Sequence, residues 1–297
     1  MSKYKITVFT PAYNRAYIIS NLYKSLQKQS FKDFQWVVVD DGSKDNTEEL
    51  IRSFIKENNF FNIIYKKVEN GGKHRAINEG LEIAEGELFF IVDSDDYLTQ
   101  NSLERIVYWE STIKDKERFA GISGNRGYSE NKIIGTAFKD EYIDATALER
   151  EKNNLYGDKA EVFYTDILRK NKFPEIEGEK FITERIVWDE LAYQGYKLRW
   201  FNEIIYICDY LEDGLTNSVR NLFINNPKGY ALDIKTQVKF RNIKGKDKWA
   251  LWVSYYDMIK EKRSLSEIAK NLEINKFTLI SLVVLWRFKD FIKGIKA

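Results

Sequence analysis

Phe89-Phe90-Ile91-Val92-Asp93-Ser94-Asp95-Asp96 carries four apolar residues straight into three carboxylates within four positions. A run so short and so continuously apolar suits a strand covered on both faces rather than an exposed antiparallel one. Residues 6–9, 36–39 and 63–65 share this character. Between them lie amphipathic stretches. Ile18, Ile19, Leu22 and Leu26 fall at helical spacing within residues 16–29, and Asp45 or Asn46 is set to cap a helix over 47–58. The alternation predicts an α/β fold, a mostly parallel sheet flanked by helices. In open sheets of this kind ligands bind beyond the carboxyl ends of the strands. That rule gathers residues 10–15, 40–43, 69–74 and 93–96 on one edge.

The rest of the chain sets bounds on this reading. With 297 residues, 43% hydrophobic and 31% charged, and only 3 Pro and 16 Gly, it can bury a full core and is neither collagen-like nor compositionally disordered. Its length fits one large domain, or a main domain with an appendage. The single cysteine, Cys208, excludes an intrachain disulfide framework and a Cys-rich metal site, and points to a reducing compartment. The N-terminal stretch MSKYKITVFTPAYN lacks the apolar core of a secretory signal. The longest apolar run, residues 277–286, is about half of the roughly 20 residues that span a bilayer. A cytoplasmic protein without a transmembrane helix is expected. Residues 103–114 and 183–194 read as helices around a glycine-containing stretch at 121–135. Beyond 215 the pattern is helical, with Ser264 and Glu267 opening one helix and residues 277–293 forming another. The expected organisation is a main domain over 1–215, made of halves 1–100 and 101–215, followed by a helical basic extension over 216–297. Charge divides similarly: 30 basic against 38 acidic residues up to Val219, and 17 against 7 after it. A basic tail of this kind either faces an anionic surface or is a solvated helical face.

Asp93, Asp95 and Asp96 are crowded enough that their mutual repulsion calls for a cation. Oxygen-only ligands select a hard ion such as Mg²⁺ or Mn²⁺, with a diphosphate as the natural group to bridge. The alternative is that one of them caps the helix starting near Asn101. A second apolar strand ends in Asp40-Asp41-Gly42-Ser43, where the glycine lets the chain turn closely around a ligand and a carboxylate can accept from a base imide or a ribose hydroxyl; an Asp-Gly turn is the plainer reading. Asn70-Gly71-Gly72-Lys73-His74-Arg75 puts two glycines and three cationic or titratable side chains at a helix start, where backbone N–H groups and the helix dipole favour an anion. His74 is the sole histidine, so a His-based metal site or a Ser-His-Asp triad would have to rest on it alone. No P-loop, complete G-x-G-x-x-G or nucleophile elbow occurs.

Taken in order, Thr10-Pro11-Ala12-Tyr13-Asn14-Arg15, Val39-Asp40-Asp41-Gly42-Ser43, Asn70-Gly71-Gly72 through Asn78, and Asp93-Ser94-Asp95-Asp96 resemble the successive signatures of the family-2 glycosyltransferases with the GT-A fold. The resemblance covers roughly residues 3–100. It implies a nucleotide-diphospho-sugar donor, usually UDP-linked, and a divalent metal, Mn²⁺ or Mg²⁺, at a D-x-D motif. On that resemblance Pro11, Tyr13 and Arg15 pack against the nucleoside, Asp40 reads the uracil imide with Asp41 beside it, and Gly72, Lys73 and Arg75 belong to the donor loop. Asp95 is the direct metal ligand, Asp93 a second ligand nearer the ribose or diphosphate, and Ser94 and Asp96 lie against the donor sugar. The third motif departs from the commoner family pattern at Lys73 and His74.

The resemblance also implies an inverting displacement in which a carboxylate takes the proton of an acceptor hydroxyl. Relatives often place this base in a Glu-Asp pair opening a helix in the second half. Here the corresponding stretch, residues 181–192, has no such pair, and aligning Trp188 and Leu191-Ala192 puts Glu184 at the base position, with Asp189 as second choice. Five residues apart, the two point roughly 140° from one another around a helix. The expected function is sugar transfer to a glycan or lipid-linked acceptor in bacterial surface polysaccharide synthesis. A catalytically inactive sugar-nucleotide or glycan-binding protein is the alternative. A sugar-nucleotide pyrophosphorylase lacks support, because residues 10–15 contain no glycine. The apolar residues of 277–297, bordered by Arg287, Lys289, Lys293 and Lys296, suit peripheral contact with the inner face of the cell membrane, or packing on the protein or in a homodimer. No nucleic-acid partner is expected, since these cations are not set in a recognisable module.

Overall fold

The computed structural model describes residues 2–209 and 219–295, with side chains up to 288. The junction expected at 215/216 and Lys296 lie outside the described residues, as do the side chains of Lys289 and Lys293. The chain forms two compact units, one of Met1–Phe173 with Leu191–Glu212, the other of Pro174–Glu190 with Asp213–Ala297.

In the first unit, strands β1 (Tyr4–Ala12), β2 (Phe34–Asp40), β3 (Asn62–Lys67) and β4 (Gly86–Ile91) alternate with helices α1 (Ser20–Gln27), α2 (Thr47–Lys56) and α3 (Lys73–Ile83). All four strands expected from the apolar runs are present. They pair in parallel in the order β3-β2-β1-β4. Every residue of β2 is buried, as a strand covered on both faces requires. Ile6, Val8, Trp36, Val38, Leu88 and Phe90 enter one core with Ile19 just ahead of α1, Leu22 of α1, and Ile51 and Phe54 of α2. On the other face Phe9 stacks on Phe89 at 5.0 Å, under Gly80 of α3, where any Cβ would overlap the Phe9 ring.

Beyond β4 the sheet becomes mixed, so it is parallel only in part. The chain continues through β5 (Tyr97–Leu98), α4 (Ser102–Ser111), β6 (Phe119–Ser129), β7 (Lys132–Ile133), β8 (Tyr142–Ala145), β9 (Lys159–Tyr164), α5 (Thr165–Lys170), α6 (Arg185–Tyr193), whose residues 185–190 belong to the second unit, and β10 (Lys197–Ile207). β9 inserts antiparallel between β4 and β6, and β10 pairs parallel with β6. The stretch 121–135 thus contains a long central strand. Its glycines are steric: a Cβ at Gly121 would meet Val162 O at 2.0 Å, and one at Gly124 would meet the Ile205 side chain at 2.7 Å.

The second unit gathers α7 (Val219–Asn225), α8 (Pro227–Phe240), α9 (Gly245–Ile259), α10 (Leu265–Asn271) and α11 (Lys276–Ile295) around Tyr230, Ile234, Tyr255, Ile259, Ile268 and Leu279. The helix expected to open at Ser264 and Glu267 is α10, and the two residues form a capping box. Residues 174–190, read from sequence as part of the main domain, belong to this unit because their polar groups are satisfied there. Glu179 accepts from the N–H groups of Lys228 and Gly229 at the start of α8, Asn226 accepts from Lys180 N–H, and Asp233 pairs with Arg185 at 2.6 Å. Among the described residues no helix is long and apolar enough to cross a membrane.

Candidate functional site

The ends of β1, β2 and β4 and the start of α3 converge on one edge of the first unit, as the parallel order demands. The loop after β1 is laced to the loop after β2. Asn14, at a φ of 53°, donates its N–H to Ser43 Oγ and accepts from Lys44 N–H, while Arg15 and Ala16 N–H groups donate to Thr47 Oγ1 and Asp45. Burial disfavours the Asp45 anion, but hydrogen bonds donated by the Thr47 hydroxyl and by the Ala16 and Thr47 N–H groups outweigh it and hold the carboxyl below its usual range. Pro11 and Arg15 are half-buried and Tyr13 is exposed, which leaves an open rim.

Asp40 and Asp41 are deeper than the sequence suggests. Asp40 is fully buried and accepts from Ser43 N–H at 2.7 Å and Tyr65 Oη at 2.6 Å. Asp41 accepts from Gly71 N–H at 2.6 Å, Gly72 N–H at 2.9 Å and the Asn70 side chain. Asp41 is therefore a latch holding the glycine loop against β2. Gly42 allows it, for its φ of 78° suits glycine and a Cβ would stand 2.9 Å from Asn70 N. Gly72, at a φ of 95°, turns the chain into α3, and Arg75 bonds back to Gly71 O at 2.6 Å. His74 is buried in α3.

The 93–96 turn supplies the charge. Asp93 is paired with Lys73 at 2.6 Å and lies 3.7 Å from Arg126. Burial opposes its ionisation, yet these two cations prevail and hold its carboxyl below the usual range. Tyr206, at the end of β10, accepts from Asp93 N–H at 2.9 Å and donates to Asp96 at 2.6 Å, and Asp209 N–H donates to the other Asp96 oxygen. Arg126 covers the Tyr206 ring at 4.2 Å. Burial first, and the Asp93 charge second, push the Asp96 carboxyl up to about 7. The same two causes raise Asp95. Ser94 is buried. Unlike its neighbours, the Asp95 carboxylate has no hydrogen-bond or ion-pair partner on another described residue.

Among the described residues no cluster of three acidic, His or Cys side chains is built to hold a metal alone. One open carboxylate beside a diphosphate still matches how Mg²⁺-type ions bind, through one or two carboxylates plus phosphate oxygens and water. In the second unit, Asp189 is buried and held by Arg241 through two 3.1 Å contacts, whereas Glu184 is half-buried just before α6.

Arg126, Tyr206 and Tyr65 escaped the sequence reading. Tyr206 and Asp209 end an apolar run into a carboxylate, Ile204-Ile205-Tyr206-Ile207-Cys208-Asp209, the same cue that marked Asp93. Arg126 sits in a glycine-rich stretch that masked its strand.

A parallel half-sheet with a glycine loop and an acidic turn at its carboxyl edge, extended by a mixed half, is the fold of sugar-nucleotide-dependent transferases of the GT-A type. Residues 7–156 match glycosyl transferase family 2, and the chain belongs to that family. It is 28% identical over 195 residues to the GalNAc(5)-diNAcBac-PP-undecaprenol β-1,3-glucosyltransferase of Campylobacter jejuni, a match covering 63% of this chain and 59% of that one. The chain thus spans less than two thirds of that relative. Over 202 residues it is 32% identical to the putative teichuronic acid biosynthesis glycosyltransferase TuaG of Bacillus subtilis, covering 67% of this chain and 77% of TuaG. In fold it is similar to Staphylococcus aureus TarS 1–349 in complex with UDP-GlcNAc, with a TM-score of 0.61 at 21% identity, over 87% of this chain and 74% of that one.

Proposed function

We propose that the protein moves a sugar from a nucleoside diphosphate donor, taken as a UDP-sugar, to a hydroxyl of a glycan or lipid-linked acceptor in bacterial surface polysaccharide synthesis, with inversion at the anomeric carbon. The observation that carries this reading is the 93–96 turn, where Lys73, the first residue of α3, and Arg126 flank Asp93 while the Asp95 carboxylate has no hydrogen-bond or ion-pair partner on another described residue. Family membership supports sugar transfer. TarS bound to UDP-GlcNAc supports the UDP donor, and the PP-undecaprenol-linked glycan in the Campylobacter relative's name supports the acceptor class.

In this reading Tyr13 and Arg15 border the nucleoside, while Asp40 and Asp41 act from below by fixing the loops that frame it. Lys73 and Arg126, aligned by Asp93, face the diphosphate, and Asp96, oriented by Tyr206, faces the donor sugar. Asp95, with Asp93 as second ligand, would hold a divalent ion, which when bound would offset charge on the departing diphosphate. The acceptor oxygen attacks the anomeric carbon, the bond from that carbon to the diphosphate oxygen breaks, and the hydroxyl proton passes to a carboxylate. Glu184, which the alignment on Trp188 and Leu191-Ala192 puts at the base position, is the base we assign, with Asp189, held by Arg241, as second choice. The test is a panel of UDP-, GDP-, CMP- and dTDP-sugars, followed by thermal shift and hydrolysis with and without Mn²⁺ and by NMR of the product's anomeric configuration. Stabilisation and turnover by a UDP-sugar that Asp95→Ala abolishes is expected. No response to any nucleotide would overturn the reading, and stabilisation without turnover would overturn it in favour of a catalytically inactive sugar-nucleotide-binding protein.

A further inference from the structure

Over residues 277–286 helix α11 is apolar around its whole circumference except at Thr278 and Ser281, yet the described chain covers one side of it. Leu279 and Leu282 are buried, Val283 packs against the second unit's core, and Trp286 lines a groove with Leu282, Leu285, Trp249 and Lys246. On the opposite side Phe277 is 76% exposed, Val284 60% and Phe288 63%, with Ile280 at 38%, and Leu285, at the edge where this side meets the groove, is 62% exposed. At about 100° per residue these five occupy an arc of roughly 140°. A helix apolar on all sides belongs where both sides leave water.

Charge decides what covers the open side. From Lys276 to Lys289 there is no acidic residue, and Lys276, Lys244 and Lys246 are exposed. From residue 220 onward 17 basic residues face 7 acidic ones. A second copy would bring an equal positive excess to the interface, whereas an anionic bilayer brings the opposite sign. Trp249, 41% exposed at the start of α9 beside Lys246, adds an aromatic suited to the headgroup level. We propose that the open face of α11, with the first turn of α9 beside it, lies in the plane of an anionic membrane surface. The inference does not depend on the donor site.

The test is flotation of the full chain with vesicles of phosphatidylcholine alone and of phosphatidylcholine with about one third phosphatidylglycerol, read also by tryptophan emission. Binding to the anionic vesicles is expected, at least about tenfold weaker on neutral ones, with a blue shift of emission. The combined variant Phe277→Ser, Val284→Ser, Phe288→Ser removes only exposed side chains and is expected to keep its melting temperature while losing vesicle binding. Lys246→Gln with Lys276→Gln keeps the apolar face and loses the anionic preference. Failure to bind either vesicle, binding that the triple variant retains, or a micromolar dimer in light scattering that the triple variant makes monomeric would each overturn the proposal. Hydrolysis of a UDP-sugar by the same preparations reports separately on the transferase reading.

Discussion

One hydroxyl ties the acidic turn together: Tyr206 Oη accepts from the backbone of Asp93 and donates to the side chain of Asp96. Tyr206→Phe leaves the ring under Arg126 and removes only that oxygen. A hydrogen bond to a charged partner is worth about 1.5–3 kcal/mol, so turnover is expected to fall about tenfold to a hundredfold. Because Tyr206 acts through the turn rather than on the substrate, the loss should fall on kcat more than on the donor KM, which steady-state kinetics separates. Glu184 and Asp189 make a matched pair of predictions. Glu184→Gln should cost about 10²–10⁴-fold in transfer, as loss of a general base does, at an unchanged melting temperature. Asp189→Ala strips a buried partner from Arg241 and should destabilise by about 1.5–3 kcal/mol in chemical denaturation. If Asp189→Ala loses transfer without losing stability, the assignment of the base is wrong.

The loops depend on single backbone positions. Gly42→Ala forces a side chain into positive φ and against Asn70 N, at a cost of about 1–3 kcal/mol. The Asp41 latch shifts with it, so UDP-sugar affinity measured by calorimetry should fall along with the melting temperature. The elements of the first hundred residues were legible because each buried parallel strand announces itself as an unbroken apolar run, and each strand end as a polar cluster. The second half was less so. β6 is built from glycines that make room for β9 and β10, and a glycine-rich run does not look like a central strand. The roles of Asp40 and Asp41 were visible only in part, since sequence shows a carboxylate after a strand but not that its oxygens are spent on Tyr65 and on the backbone of the next loop. Residues 174–190 gave no sign of their unit, because what fixes them is Asn226, Asp233 and the start of α8, far along the chain.

The whole molecule's pH response carries the mark of Lys159. It is buried in β9, bonded to Asn125 and to Thr136 O, and burial first, with Arg150 second, pushes its amine down to about 8. An unfolded lysine titrates near 10.4. Between about pH 8 and 10.5 the unfolded chain therefore binds the extra proton, and this group's penalty, complete below 8, is relieved as pH rises. The difference in melting temperature between Lys159→Met and the wild-type chain should shift against the variant from pH 7.5 to 9.5; a difference constant across that range would contradict it. The division into units has a different consequence, for inheritance. Glu179, Lys180, Thr183 and Arg185 are bound to Gly229, Asn226 and Asp233. A recombination event with one crossover ahead of α7 would import foreign C-terminal helices and orphan the 174–190 segment from every one of those partners. Keeping both units whole takes three crossovers, two flanking residues 174–190 and one ahead of α7, and the stretch bearing Glu184 is then inherited with the C-terminal helices, so the assigned proton acceptor and the nucleotide loops can come from different parents.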